Sequence, residues 1–295
     1  MSTTRKAEAI SVLTEARACR RRPARWWYSA AVGVVGMVLL GAGQPPTSAP
    51  PAAGPSAPRP MDQTAAPAAP APAAAPMDEP ARLIREAQQA YKNVRDYTCL
   101  LIKSESMNGK LPPESVMEMK VRVQPFSIYL RWLRPSSDAG QEVCYVAGRN
   151  DGKIRVHPSG VLGAVGFVSL DPSDPRLRKA SRRSINEAGI GNTIERFARA
   201  WEDEEKRKLT TGVRVAEYEY NRRRCMRVET VHPANDGHFL YYRDVVYFDK
   251  ETHLPIRLEF YDWPRQTGDT GQLVEVYSFA NMRLNVGLGD DVFNH

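Results

Sequence analysis

Residues 97–152 constrain what this chain can fold into more than any other stretch. Positions 116–123 read Val-Met-Glu-Met-Lys-Val-Arg-Val. Met117, Met119, Val121 and Val123 fall on one face and Glu118, Lys120 and Arg122 on the other, the two-residue period of a half-buried strand. Asn108-Gly109, just ahead, suits a tight hairpin, because both central residues of a type I′ turn take positive φ. Residues 126–133 and 140–146 continue the pattern, and Asn150-Asp151-Gly152 supplies another turn. These signals predict an antiparallel meander with one apolar face.

The flanks extend the pattern. Asp78 can cap a helix that tolerates Pro80 in its first turn, with Leu83, Ala87, Ala90, Tyr91 and Val94 at helical spacing. A short strand follows Gly152. Residues 159–184 then dissolve into Gly, Pro, Asp and Arg around one apolar island at 161–170, a long connection of the kind that often forms a lid or binding loop. Asn192 with Glu195 gives a capping-box-like start to a second helix, whose Ile194, Phe197 and Trp201 share one stripe. Its basic end, Lys206 to Lys208, complements the helix dipole. Strand-like runs at 213–220, 225–231, 239–248, 256–263 and 273–279 complete the chain. The expected fold class is α+β: a curled antiparallel sheet, an open half-barrel of about ten strands, wrapped round one or two helices.

Ahead of that domain the composition changes. Residues 1–43 hold seven bases against two acids, so they carry +5 of the chain's +7 and leave +2 for the rest. A near-neutral domain lacks the basic footprint that dominates nucleic-acid affinity, so no nucleic-acid partner is expected. Arg20-Arg21-Arg22-Pro23-Ala24-Arg25 precedes Trp26-Trp27-Tyr28 and an apolar run at 29–43, the order of a secretory signal. The run is short for a full span of ~20 residues, but with the aromatic belt it can also serve as an uncleaved signal anchor. In residues 44–76, eleven are Pro and twelve Ala, which offers nothing to build a core from and reads as an extended, disordered spacer. The expected organisation is 1–43 signal or anchor, 44–77 linker and 78–295 folded domain, on the exported side of the cytoplasmic membrane.

No motif announces chemistry. The five histidines are scattered, with no His-x-x-x-His or Cys-x-x-Cys spacing, so neither a metal nor any other cofactor is expected. Residues 160–166 are Gly-rich without the lysine of a phosphate loop, and no serine has a nucleophile-elbow context. Glu202 to Glu205 are consecutive on a helix and therefore point different ways. Cys99, Cys144 and Cys225 allow either one disulfide plus a free thiol or three buried thiols. A catalytic role is not expected.

Tyr97-Thr98-Cys99, the run 125–130, Gly140-Gln141-Glu142-Val143, Gly148 to Gly152 and the segment 181–191 resemble an uncharacterised family of exported bacterial proteins, domain-of-unknown-function family 1571, over nearly all of 80–295. In strand order, and in its ending at 253–258, 274–279, Asn285 and Phe293, the chain more broadly resembles the lipoprotein-carrier superfamily of the bacterial envelope: the periplasmic carrier, its outer-membrane receptor and the sigma-factor-regulating sensor. That resemblance implies an open barrel with an apolar cavity for acyl chains. Cavity candidates are Trp132, Tyr145, Ile194, Phe197, Trp201, Phe239, Tyr241 and Phe260, although aromatics of this kind can simply fill a core. Residues 159–184 would be the lid, and its Arg176, Arg178, Lys179, Arg182 and Arg183 could meet an anionic headgroup or stay solvated. The leading expectation is a non-enzymatic envelope protein that binds a lipid, an acyl chain or a lipidated partner and reaches the membrane through its N-terminal segment. An interaction or sensor module without a cavity is the alternative, and an envelope hydrolase comes third.

Overall fold

In the computed structural model, residues 77–295 are described except 108, 210, 234, 236 and 267 and the side chains of Arg178 and Lys179. The signal or anchor at 1–43 and the linker up to 76 lie outside the described residues. Among those described, no helix is long and apolar enough to cross a membrane.

Helix α1 (Asp78–Tyr91) leads into β1 (Asp96–Glu105), β2 (Ser115–Arg122), β3 (Ser127–Arg134), β4 (Glu142–Val146), β5 (Ile154–His157) and β6 (Val168–Leu170). After α2 (Pro175–Ala180) and α3 (Ile190–Arg207) come β7 (Gly212–Tyr220), β8 (Arg223–Val231), β9 (Arg243–Asp249), β10 (Pro255–Tyr261) and β11 (Leu273–Leu284). All eleven strands form one sheet in the order β6-β5-β4-β3-β2-β1-β11-β10-β9-β8-β7, and every pairing is antiparallel. Two meanders therefore meet at a single central seam, where β1 pairs with β11 and Leu101 faces Phe279. β6 and β7 each have a neighbour on one side only, so the sheet is open.

The sheet is bent by local irregularities in its own ladder. Register shifts occur in β1 between Thr98 and Leu100, in β2 between Val116 and Met117, and in β10 between Pro255 and Arg257 and between Phe260 and Tyr261. An extra residue of this kind bends a strand and raises its twist. The inner face so formed carries one continuous core: Cys99 and Leu101 of β1, Met117, Met119 and Val121 of β2, Val228 of β8 and Leu258 of β10 join Leu83, Ala87, Ile194 and Phe197 of the helices. The alternation read at 116–123 holds, since Met117, Met119 and Val121 are buried while Glu118, Lys120 and Arg122 are not. On the outer face the C-terminal segment closes over β3 and β4, with Phe293 buried beside Tyr129, Cys144 and Val146.

Several boundaries differ from the sequence reading. Lys103 faces Ser115, so nine residues join β1 to β2 and the connection is not a two-residue turn at Asn108-Gly109; Asn108 itself is outside the described residues. Met77 occupies the cap position of α1 and Asp78 is its first helical residue. Helix α3 begins at Ile190, ahead of the expected cap, because Gly189 adopts φ 97° there. Asn192 instead donates from Nδ2 to the carbonyls of Asn186 and Ala188, at 3.0 and 2.9 Å. The 159–184 connection holds a 3₁₀ segment, β6 and α2 rather than irregular coil. The strand expected at 239–248 starts only at Arg243.

The start of α3 is fixed by close contact with aromatic rings. The Ile190 N–H donates to the buried Tyr97 hydroxyl at 2.9 Å. A Cβ on Gly191 would sit 2.6 Å from Cζ of the Tyr91 ring, so α1 and α3 touch here only because this position lacks a side chain. Gly191→Ala is expected to cost about 1–3 kcal/mol through overpacking, measured by urea unfolding.

Candidate functional site

A cavity of 580 Å³ lies against the inner face of the first meander. Its floor is Leu101, Met117, Met119, Leu130, Val143 and Ile154; its roof is drawn from residues 172–189, and Thr193 and Arg196 of α3 stand at one side. The floor is a direct product of the strand period, since these are the inward positions of β1 to β5. It is mainly aliphatic and thioether, with Trp132, Tyr277 and Phe279 also lining the cavity, whereas the second meander is more heavily packed with rings. Phe197 lies 5.4 Å from Trp201 and stacks on Phe260 at 6.1 Å, Trp201 meets Phe248 at 6.4 Å, and Tyr241 meets Phe260 at 4.7 Å. Rings occupy the half-barrel there; on β1 to β5 the apolar side chains lining the cavity other than Trp132 are aliphatic or methionine and leave room.

Of the residues singled out from sequence, Trp132 lines this cavity together with Arg182 and Arg183. Phe197, Trp201, Tyr241 and Phe260 belong to the ring cluster, and Ile194 is buried between α3 and the sheet. Tyr145 packs against the core edge 6.3 Å from Phe126. Phe239 stacks on His232 at 4.0 Å. Arg176 is exposed and pairs with Asp174 at 2.7 Å, while the side chains of Arg178 and Lys179 are outside the described residues. The apolar island of the connection divides: Val161, Leu162 and Val165 are 94%, 67% and 69% exposed at a tip beyond β5, and the cavity roof comes from the later part.

That roof is held by buried charge. Glu275 of β11, 0% exposed, accepts Arg182 Nε at 2.7 Å and an Arg183 Nη2 hydrogen bond at 2.9 Å. It also accepts the Tyr241 hydroxyl. Beside it, Glu105 accepts the Tyr277 hydroxyl at 2.5 Å, the Ser181 hydroxyl at 3.1 Å and the Arg182 backbone N–H at 3.1 Å. Lys103 lies 3.3 Å from Glu105. Burial alone would raise the Glu105 carboxyl, but Lys103 and the three hydrogen bonds outweigh it and hold the group below its ordinary range. Burial likewise pulls the Arg183 guanidinium down, and its contacts with the Tyr277 hydroxyl and the Glu275 carboxylate more than reverse that. A segment that crosses the barrel is thus locked to the central seam by two carboxylates.

Sequence reasoning missed these carboxylates, although a signal was present. In Leu273-Val274-Glu275-Val276-Tyr277 the period of two sets Glu275 on the same face as Tyr277 and Phe279, facing inward. It also missed a second buried cluster at the end of α3. His232 Nε2 is 3.7 Å from Glu204 Oε1, and Thr211 donates to Glu204 at 2.9 Å. The His232 Nε2, Thr230 Oγ1 and Asp244 Oδ1 atoms are buried without a hydrogen-bond partner. These residues do not line the cavity. Cys99, Cys144 and Cys225 are buried free thiols, and burial raises all three, the opposite of an activated thiolate. Among the described residues no group of three or more His, Cys, Asp or Glu could hold a metal ion. A second depression of 930 Å³, between α1 and the β2–β3 turn, is walled by long polar side chains such as Arg85, Gln88 and Lys92.

A family model described as "Protein of unknown function (DUF1571)" matches residues 94–295. No curated protein matches the chain. Among solved structures the chain is similar to an uncharacterized conserved protein from Thermus thermophilus, with TM-score 0.43 and 8% identity over 74% of this chain and 94% of that one. It is also similar to MucB, with TM-score 0.44 and 15% identity over 74% and 62%. A LolA superfamily protein from Nitrosomonas europaea gives TM-score 0.32 and 12% identity over 72% and 96%. Likenesses of this size carry no ligand, partner or reaction over to this chain.

Two outcomes test the electrostatics. Glu275→Ala strips both arginines of their buried partner and is expected to cost about 3–5 kcal/mol in denaturant unfolding. The Asp244 carboxyl is pushed up to about 7, by burial first, with Glu204 acting in the same sense against the opposing charge of His232. The folded state therefore keeps a proton that the unfolded chain releases near 3.8, and stability falls as pH rises from about 4 through 7. His232 is raised above 6.5, its Glu204 partnership outweighing burial; its contribution is complete below 6.5 and lost as pH rises through the raised value. Unfolding free energy measured across this window should decline, and Asp244→Asn should flatten the decline.

Proposed function

We propose, from the premise that the chain belongs to the DUF1571 family of proteins of unknown function, that it is an envelope protein whose folded domain, 78–295, holds the acyl chain of a lipid or of a lipidated partner. The observation that carries this reading is the 580 Å³ cavity between the inner sheet face and the 172–189 segment, floored by aliphatic and methionine side chains. Its volume falls within the ~300–1,000 Å³ of small-molecule sites, which are mostly apolar with a few convergent polar groups. Methionine is the side chain that best adapts to a flexible apolar occupant, and Met117 and Met119 of β2 lie on its floor. Lys103 and Glu105 of β1, Arg182 and Arg183 of the roof and Arg196 of α3 add polar groups to that apolar floor, which suits the two-ended chemistry of an amphiphile.

The envelope placement draws on the sequence: a basic flank, the apolar run 29–43 as signal or anchor, and the Pro/Ala-rich linker that follows. Such a linker would let the domain work some distance from the membrane. A second reading, contact with another envelope protein, draws on the exposed Val161, Leu162 and Val165 tip, because exposed apolar clusters mark interaction sites. Arg182 and Arg183 are turned inward to Glu275 and serve that reading less well.

The protein purified from envelopes is expected to release an acyl-bearing lipid in mass spectrometry and, once stripped, to bind a fluorescent fatty-acid probe. Val156, a half-buried wall residue of the cavity, offers a way to fill the space. Val156→Trp should weaken the probe at least about tenfold, as lost burial of a few methylenes implies, while the unfolding midpoint stays close to that of the parent. Clean protein that ignores the probe would sink the reading.

A further inference from the structure

Four cations line the cavity: Lys103, Arg182, Arg183 and Arg196. Three are paired within the fold, Lys103 with Glu105 at 3.3 Å, and Arg182 and Arg183 sharing Glu275 at 2.7 and 2.9 Å. Arg196 is not. Among the described residues its guanidinium makes no ion pair and no hydrogen bond and only rests over the rings of Phe197 and Phe260, at 5.7 and 5.8 Å. The exposed Glu187 also lines the cavity but forms no ion pair with it. Glu275 acts on Arg196 only at longer range, since its oxygens are taken by the other two arginines.

A guanidinium in this position is costly. Burial first, and then the neighbouring Arg183 charge, depress the Arg196 pKa from its ordinary value, yet an arginine does not give up its proton in a protein. Ring faces hold the cation in place but supply its N–H donors with no protein acceptor. A half-buried charge without a counter-ion is relieved by an anion, and a planar fork of donors matches the two oxygens of a carboxylate or phosphate.

We propose that Arg196 is the head-group site of the cavity and that its ligand is an anionic amphiphile, with a carboxylate or phosphate on Arg196 and its acyl chain on the Met117, Met119 and Leu130 floor. This rests on the acyl-chain reading above and narrows it: a neutral acyl group, such as an uncharged lipid or the amide- and ester-linked chains of a lipidated protein, lacks the anion that Arg196 requires. The geometry also orders the occupant, with the head toward α3 and the chain along the sheet.

Calorimetric titration of the full chain with dodecanoate, dodecyl phosphate, dodecanol and inorganic phosphate tests it. Dodecanoate or dodecyl phosphate should bind about tenfold or more tightly than dodecanol, the increment of a charge-assisted hydrogen-bonded pair, and whichever is tighter names the head. Arg196→Gln should bring the anions down to the level of dodecanol and leave dodecanol unchanged; Arg196→Lys should restore part of the difference. Equal binding of acid and alcohol by the parent, or a preference that survives Arg196→Gln, overturns the head-group assignment while leaving the acyl-chain reading intact. Inorganic phosphate binding as tightly as dodecyl phosphate makes Arg196 a site for free anions and overturns it too. Loss of binding by every amphiphile, dodecanol included, removes both readings.

Discussion

The strand order forces everything else in this domain. β6 and β7 follow one another in sequence, separated only by residues 171–211, yet they are the two outer edges of an eleven-stranded sheet. The chain between them has to cross the full width of the sheet, and it crosses on the inner face. Its second part, α3, lies against the ring cluster of β9 and β10 and fills that half of the trough. Its first part, residues 172–189, bridges a floor of shorter side chains and leaves the cavity beneath. The cavity is thus a consequence of one crossing element meeting two differently furnished halves of the same sheet.

A crossing segment of that length needs to be anchored, and the anchor is electrostatic. Glu105 and Glu275 face each other across the central β1–β11 pairing, and between them they hold Lys103, Ser181, Arg182, Arg183, Tyr241 and Tyr277. Two buried carboxylates side by side are unfavourable unless cations and hydrogen-bond donors surround them. Here Lys103, Tyr241 and Tyr277 come from the sheet side, and Ser181, Arg182 and Arg183 from the crossing segment itself. The seam therefore fixes the roof, and the roof in turn makes the seam tolerable.

What could be read from sequence was whatever depends on local period. Residues 116–123 announce their inward face because Met117, Met119 and Val121 alternate with charges, and α3 announces its buried stripe through Ile194, Phe197 and Trp201. The turn at Asn108-Gly109 was misleading because register is set by the partner strand, with Lys103 opposite Ser115. The start of α3 was misplaced because Asn192 resembles a cap in sequence but spends its amide on the preceding loop. The importance of Arg196 was not legible at all. It lies between Glu195 and Phe197 as one more charged residue of an amphipathic helix, and the property that matters, the want of a counter-charge, belongs to residues far away in the chain.

The pairing of β1 with β11 has a further bearing on how such a domain comes into being. A chain emerging from its N-terminal end can zip β1 to β6 as they appear, but the neighbour of β1 on its other side is the last strand, ending at Leu284. Until that strand is available, Glu105 lacks Tyr277, the roof lacks Glu275, and the trough stays unroofed. Contacts between segments so remote in sequence form late. A polypeptide of this topology can close its roof only after almost all of it has been delivered, because the strand that completes the seam is the last in the chain.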